Sequence, residues 1–352
     1  MYHLYQPPLL GECLIAGIRL ARERQVNVRV AWTHHTFNPW IGCTKVSPGC
    51  FACYAKTEDD RHLHGPESHW GVGAPRHITS ASYWKVPHKW NREAQEENTR
   101  KRVFCGSLCD WADDEAPLGV RYRLWNVIRE TPRLDWLLLT KRAKNIEKYL
   151  PKNWGSGYPN VWLGVTVEDR KHGFPRVDIL RKIPATKRFL SCEPLLEDIS
   201  DINLTGIDWV ITGGESGNGV REFDLQWARS LQLSAKRYGA AFFMKQLGSE
   251  PMENGSPFPI LYPQESGKQD RHGRSVVNFP VDLQVQEIPA TKAARKTPAT
   301  VKHPNSVVTD KSLAEVVDWL QQYADSSTDA RFLAQNALIS LTGLIAVTGH
   351  EQ

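Results

Sequence analysis

Trp136-Leu137-Leu138-Leu139-Thr140-Lys141-Arg142 is a short apolar run that stops at polar residues, and a helix-length segment follows it. The same unit recurs. Apolar, β-branched or aromatic runs at 102–106, 136–140, 161–167, 188–192, 209–212 and 241–244 each end in polar residues. Strand followed by helix, repeated, is the pattern of parallel βα units. Strands buried on both faces read as continuous apolar runs, so the first polar residues after each run mark the open face of such a sheet. These endings carry Ser107 and Asp110, Lys141 and Arg142, Thr166 and Glu168, Ser191 and Glu193, Gly213-Gly214-Glu215-Ser216, and Lys245 with Gln246. A further strand is expected near 26–32. The count predicts an α/β fold, a complete or partial (β/α) barrel with one site at the C-terminal strand ends.

Composition narrows the classes. With 352 residues, 41% of them hydrophobic, the chain can bury a full core. Its apolar runs are strand-sized, far short of the roughly 20 residues a spanning helix needs, so no membrane partner is expected. Residues 1–30 show no small-residue cleavage pattern and are read as an unprocessed extension. Seven cysteines, an odd number, cluster as a triplet plus Cys105 and Cys109, which favours ligation over disulfides and implies a reducing, cytoplasmic setting. A net charge of +5 permits an anionic partner, nucleic acid included. Residues 31–281 read as the barrel domain. Residues 282–308 read as a flexible basic linker, rich in Ala, Pro and Thr; between Gln286 and Pro304 four basic residues (Lys292, Arg295, Lys296, Lys302) face one acid, Glu287. Residues 309–352 read as a small helical tail, with Leu313, Val316, Val317 and Leu320 at helical spacing, suited to packing or to a protein partner.

The chemistry concentrates between residues 37 and 55. Cys43, Cys50 and Cys53 place three thiols in eleven residues on a Gly- and Pro-rich loop, with six residues between the first pair and two between the second. Thiolates select zinc, cuprous copper or iron–sulfur clusters. A [4Fe-4S] cubane held by three cysteines has one free iron, to which the amino and carboxylate groups of S-adenosylmethionine (SAM) can bind. The alternative is zinc, with a histidine such as His34 or His35 as fourth ligand in a nucleic-acid-binding protein without catalysis.

The wording of these blocks resembles a known family. Trp32-Thr33, Asn38-Pro39-Trp40, Gly42-Cys43, Ser47-Pro48-Gly49-Cys50 and Cys53-Tyr54-Ala55 are similar to the phage-associated three-Cys-motif family, which is related to radical SAM enzymes. So are Phe104-Cys105-Gly106-Ser107 with Asp110, Leu139-Thr140-Lys141-Arg142, Trp162-Leu163-Gly164-Val165-Thr166, Ser191-Cys192-Glu193-Pro194-Leu195, Gly213-Gly214-Glu215-Ser216-Gly217 and Phe243-Met244-Lys245-Gln246. The resemblance spans residues 31–280. It implies a barrel of radical-SAM type, a [4Fe-4S] cluster on the three cysteines, and reductive cleavage of SAM on an unnamed substrate; the phage association points to DNA or a nucleotide.

Ser107, Asp110, Lys141, Thr166, Glu168, Glu193, Gly213, Gly214, Glu215 and Lys245 are the candidate cofactor-binding residues. A buried carboxylate needs a cation or donors to stay charged, so the glutamates either meet the cofactor's ammonium and ribose or pair with barrel lysines and arginines. Glycines at 213 and 214 let backbone approach a ligand. Lys141 with Arg142, and Lys245 with Gln246, suit a carboxylate or phosphate. Cys105 reads as a packed strand residue and Cys109 as a neighbour of the site that does not ligate. His62, His64, His69 and His77 read as part of a lid or surface loop.

Overall fold

Seven strands carry the molecule: β1 (His35–Phe37), β2 (Lys101–Cys105), β3 (Leu134–Thr140), β4 (Val161–Thr166), β5 (Lys187–Cys192), β6 (Trp209–Gly213) and β7 (Ala241–Gln246). The computed structural model describes residues 31–63, 68–117, 119–261 and 269–289. The strands lie in chain order in one sheet and every pair is parallel. The six apolar runs read from the sequence are strands β2 to β7. The first strand departs from expectation: it is three residues at His35–Phe37, while Ala31 and Trp32 lie in a turn and 26–30 fall outside the described residues.

Alternation sorts the strand side chains into two cores. Val103, Cys105, Trp136, Leu138, Leu163, Val165, Leu190, Cys192, Val210, Phe242 and Met244 face the helices. These are α2 (Val86–Glu96), α3 (Val120–Glu130), α5 (Arg170–Lys182) and α6 (Leu225–Tyr238); α1 (Tyr54–Glu58) and α4 (Ile146–Tyr149) are single-turn elements. Apolar positions three and four apart, such as Leu124, Val127, Ile128 and Leu225, Ala228, Leu231, Ala235, dictate which helical faces pack. Asp169 caps α5 through the His172 amide, Asp224 caps α6 through the Gln226 amide, and Gly239 ends α6 at φ +70°. Not every crossover is a full helix. Between β3 and β4 a 3-10 turn at Ala143–Asn145 and the short α4 are all that form, and between β5 and β6 no helix forms.

The other strand face holds Phe104, Leu137, Trp162, Phe189, Trp209, Ile211 and Phe243, closed over by Trp32. The Trp32 ring lies 4.8 Å from Phe104 on β2 and 5.9 Å from Trp209 on β6. Those strands are four ladder steps apart, about 19 Å in a flat sheet. The sheet is therefore curled, with this aromatic cluster filling the concave side. Gly164 permits it: a Cβ there would overlap the Phe189 ring. The barrel stays partial, since β1 and β7 are the two edges of the sheet.

The segment after β7 differs from the sequence reading twice. Residues 249–273, rich in Pro, Gly, Ser and Asn, read as loop, yet Pro251–Glu253 pairs with Ser256–Pro257 and with Phe223–Asp224 in a small second sheet. Residues 282–289, grouped by composition with the flexible linker, instead cover the free edge of β7: the Met244 amide donates to Val285 O at 2.8 Å, the Glu287 amide to Phe242 O at 2.9 Å, and Leu283 is fully buried. The covered edge removes an unpaired row of backbone groups. All described residues belong to a unit that ends at Thr291. The N-terminal extension with Cys13, the rest of the linker and the helical tail lie outside the described residues. No helix among the described residues is long and apolar enough to cross a membrane.

Candidate metal and cofactor site

A cavity of about 350 Å³ opens above the aromatic cluster, at the C-terminal strand ends. It is the size of a small-molecule site. Cys43, Cys50 and Cys53 all line it, together with Ser107, Asp110, Lys141, Thr166, Glu193, Gly214, Glu215 and Lys245. Most strand-end residues singled out in the sequence therefore share one volume.

Two do not line it. Glu168 is fully buried outside the cavity, where Arg176 of α5 donates to its Oε2 at 2.5 Å. The ion-pair alternative holds for this residue: α5 folds back onto the end of β4 and brings its own cation. Gly213 also lies outside the lining, but a Cβ there would come within 2.9 Å of Glu193 Oε1, so its small size leaves room for that carboxylate.

The cysteine loop is stapled at several points. Gly42 sits at φ +115° and leaves no room for a Cβ against the His69 carbonyl; its amide donates to Leu108 O at 3.0 Å. The Cys43 carbonyl accepts from the Gly71 amide at 3.0 Å. Arg142 donates from Nη1 to Cys43 Sγ at 3.4 Å and from Nη2 to Thr44 O at 2.7 Å. Arg76, fully buried, donates to Thr44 Oγ1 at 2.7 Å and Asp113 Oδ2 at 2.9 Å and pairs with Glu115. Farther along, Arg221 donates to Pro48 O at 3.0 Å while its Nε reaches Glu215 Oε2 at 2.9 Å, and Gly49 packs on the Glu168 side chain. Arg76 and Arg221 escaped the sequence reading, since neither lies in a block of recognisable wording.

Several of the charges that line the cavity are held in pairs. Asp110 accepts from Thr140 Oγ1 (2.6 Å), the Lys141 amide (3.1 Å) and Arg142 Nη1 (3.1 Å). Glu193 lies 3.1 Å from the Lys245 ammonium. Glu215 pairs with Arg221. Lys141, by contrast, has only the Thr166 hydroxyl at 3.3 Å and no carboxylate within 4 Å among the described residues. Arg142 is thus a correction to the sequence reading: it serves Cys43 and Asp110 rather than standing free beside Lys141 for a ligand. Lys245 and Gln246 are likewise engaged, the latter on Gly214 O at 2.8 Å.

Burial, and then the nearby Asp110, push the Cys43 thiol up to about 12, with Arg142 opposing them. A thiolate there needs a metal or further positive charge. The three thiols are free. Cubane cysteines each bind a separate iron, so what such a cluster requires is three cysteines around one shared volume, and Cys43, Cys50 and Cys53 line the same cavity. A zinc ion requires ligands converging on one point. Among the described residues no three His, Cys, Asp or Glu side chains do so.

The histidines proposed as alternative ligands are placed elsewhere. His34 Nδ1 accepts from the Arg102 amide at 2.8 Å, and His35 stacks on Trp90 with ring centroids 4.2 Å apart. His69 is held by Asp59 at 3.0 Å beside His77, outside the cavity lining; its neighbour Trp70 does line it. The His62 and His64 side chains lie outside the described residues. Cys105 faces the helices, as expected of a packed strand residue, and Cys109 is buried and itself lines the cavity.

No curated protein matches the chain in sequence. A solved structure of a spore photoproduct lyase double mutant, with bound AdoMet and dinucleoside spore photoproduct, is similar at a TM-score of 0.37 and 8% identity, over 67% of this chain and 72% of that one. Residues 27–297 match a family model described as a protein of unknown function, and the chain belongs to that family, DUF5131.

Proposed function

We propose that the chain is an iron–sulfur enzyme of radical SAM type, with Cys43, Cys50 and Cys53 holding a [4Fe-4S] cluster. The observation that carries this reading is that three free thiols, from one Gly-rich loop, line the same cavity as the polar ends of a parallel half-barrel. When bound, such a cluster leaves an iron open to the amino and carboxylate groups of SAM and supplies the electron that cleaves its sulfonium. The chain's own residues do the rest. Gly214 lines the cavity and, lacking a Cβ, lets its strand end pack closely on Leu247 O and the Phe223 side chain. Glu193, steered by Lys245, and Glu215, steered by Arg221, present carboxylates to the cofactor's ammonium or ribose hydroxyls. Lys141 and Thr166 offer a cation and a hydroxyl to an anionic group. The aromatic floor keeps water from below the reacting atoms.

DNA or a nucleotide is the substrate class the rim favours. Phe51 is 66% exposed, with the Lys45 ammonium and the Arg221 guanidinium each 5.8 Å from its ring centre, an aromatic platform beside cations of the kind on which bases stack. The test is anaerobic reconstitution with iron and sulfide, read by ultraviolet-visible and electron paramagnetic resonance spectra. A brown protein whose reduced signal shifts on adding SAM, and whose Cys43, Cys50 and Cys53 triple alanine variant stays colourless, is expected. A colourless wild-type protein containing one zinc ion would overturn the reading in favour of a zinc-dependent nucleic-acid-binding protein.

A further inference from the structure

Cys43 differs from the other two cysteines of the loop in having a cation built against its sulfur. The Arg142 side chain is 10% exposed and is a wedge between that sulfur and two carboxylates. One terminal nitrogen, Nη1, lies 3.4 Å from Cys43 Sγ and 3.1 Å from Asp110 Oδ2; the other lies 2.7 Å from Thr44 O and 3.5 Å from Asp113 Oδ1. Both carboxylates are held from behind. Asp110 is fixed by the Thr140 hydroxyl and the amides of Ala112 and Lys141, and Asp113 by Arg76 Nε at 2.9 Å. A guanidinium keeps its charge in proteins, and the carboxylates of Asp110 and Asp113 at 3.1 and 3.5 Å favour it here.

This arrangement has an electrostatic consequence for whatever is ligated at Cys43. Reduction of an iron–sulfur cluster adds one negative charge, spread over irons and sulfurs. An N–H donor and a positive charge at a ligand sulfur stabilise that extra electron, and carboxylates nearby oppose it. Arg142 supplies the first and screens the second.

We propose that Arg142 and Asp110 act through Cys43 as opposed positioning residues that set how readily the bound cluster accepts an electron, an inference that rests on the cluster reading above. Arg142 raises the reduction potential and Asp110 lowers it. The step concerned is the entry of one electron from an external reductant, with no bond made or broken. The Lys141 ammonium next door reaches Thr166 Oγ1 at 3.3 Å and makes no contact with Cys43.

The experiment is a dithionite redox titration of anaerobically reconstituted wild type, Arg142→Gln, Arg142→Lys and Asp110→Asn, followed by electron paramagnetic resonance, with iron content and circular dichroism measured on each. Arg142→Gln is expected to move the midpoint to a more negative potential, with at least a tenfold lower ratio of reduced to oxidised cluster at fixed potential, about 59 mV for a one-electron couple. Asp110→Asn is expected to move it the other way, and Arg142→Lys to fall between wild type and Arg142→Gln. Opposite signs are what a merely structural role cannot produce. Midpoints that stay put, or that move in the same direction for Arg142→Gln and Asp110→Asn, overturn the inference. So does a folded, iron-free pair of Arg142 variants, which would make the residue an anchor of the loop only. Should Arg142→Gln fail to fold, the signs for Arg142→Lys and Asp110→Asn decide. A wild-type protein that takes up no iron overturns the cluster reading itself, whereas iron-loaded protein with unmoved midpoints overturns only the tuning.

Discussion

The lower and upper halves of the concave face are built by the same strands, yet they are opposite in character. On β5 the inward positions run Phe189, Ser191, Glu193; on β4, Trp162, Gly164, Thr166; on β7, Phe243, Lys245. Two or four residues along a strand, the chain passes from a packed aromatic floor to a polar, thiol-lined cavity. The floor's Trp209 has ring contacts at 5.9 to 6.3 Å with Trp32, Trp162, Phe189 and Phe243. The upper half instead carries paired charges and, at Lys141, an ammonium with no carboxylate beside it among the described residues. Close packing thus concentrates below and polar, thiol-bearing groups above, at the strand ends where barrels of this kind place their sites.

Substitutions in the two halves test that division. The largest stability effect is expected for Trp209→Ala, which opens a cavity in the floor and removes the indole's hydrogen bond to Glu287 O: a loss of about 3–5 kcal/mol by denaturant titration. Trp209→Phe should recover most of it. Gly164→Ala comes next. Its methyl group overlaps the Phe189 ring, and overpacking of this kind costs about 1–3 kcal/mol; an unchanged midpoint would mean that the floor is loosely packed.

A pH effect follows at the lower rim. Burial, with His34 adding to it, lowers His35 from its ordinary value near 6.5 to about 4. The neutral ring is therefore the form the fold prefers. Its stability contribution is present above pH 6.5 and is lost as pH falls from 6.5 through 4. Thermal melting across that window should show a decline that His35→Phe, which keeps the stack on Trp90, flattens. The smallest stability effect belongs to the upper half: Lys141→Met, with no carboxylate partner to strand, should change unfolding free energy by less than about 0.5 kcal/mol. The same variant should weaken binding of SAM or of a short single-stranded DNA, measured by calorimetry. A large stability loss instead would make Lys141 part of the scaffold.

Which parts of this were legible in the sequence depended on how local the cause was. The runs 102–106, 136–140 and 161–167 fall on β2, β3 and β4 because strands covered on both faces must be apolar throughout, whatever their neighbours. Residues 35–37 read poorly as a strand because His-Thr-Phe is three residues long and only its pairing with Val103 to Cys105 makes it one. At the site, the three cysteines and most of the polar strand ends were visible because position after a strand places a residue at the open face. The partners were not. Arg142 reaches Cys43 across 99 positions and Arg221 reaches Pro48 across 173, separations at which no sequence pattern connects two residues. Glu168 illustrates the cost: it follows a strand as Glu193 does, but Arg176 from the next helix claims it and removes it from the cavity.

By itself, then, the sequence determined the parallel βα order, the floor-to-site alternation and the thiol loop, since strand burial, a two-residue side-chain period and a Gly- and Pro-rich cysteine spacing are all properties of contiguous residues. Only the tertiary structure decided that the sheet of the described residues has seven strands, that residues 282–289 seal its edge, and which charges neutralise one another while Lys141 keeps no carboxylate beside it. Those outcomes depend on distance in space, and electrostatic pairing and edge-strand contacts are made between groups that the chain brings together only when it folds.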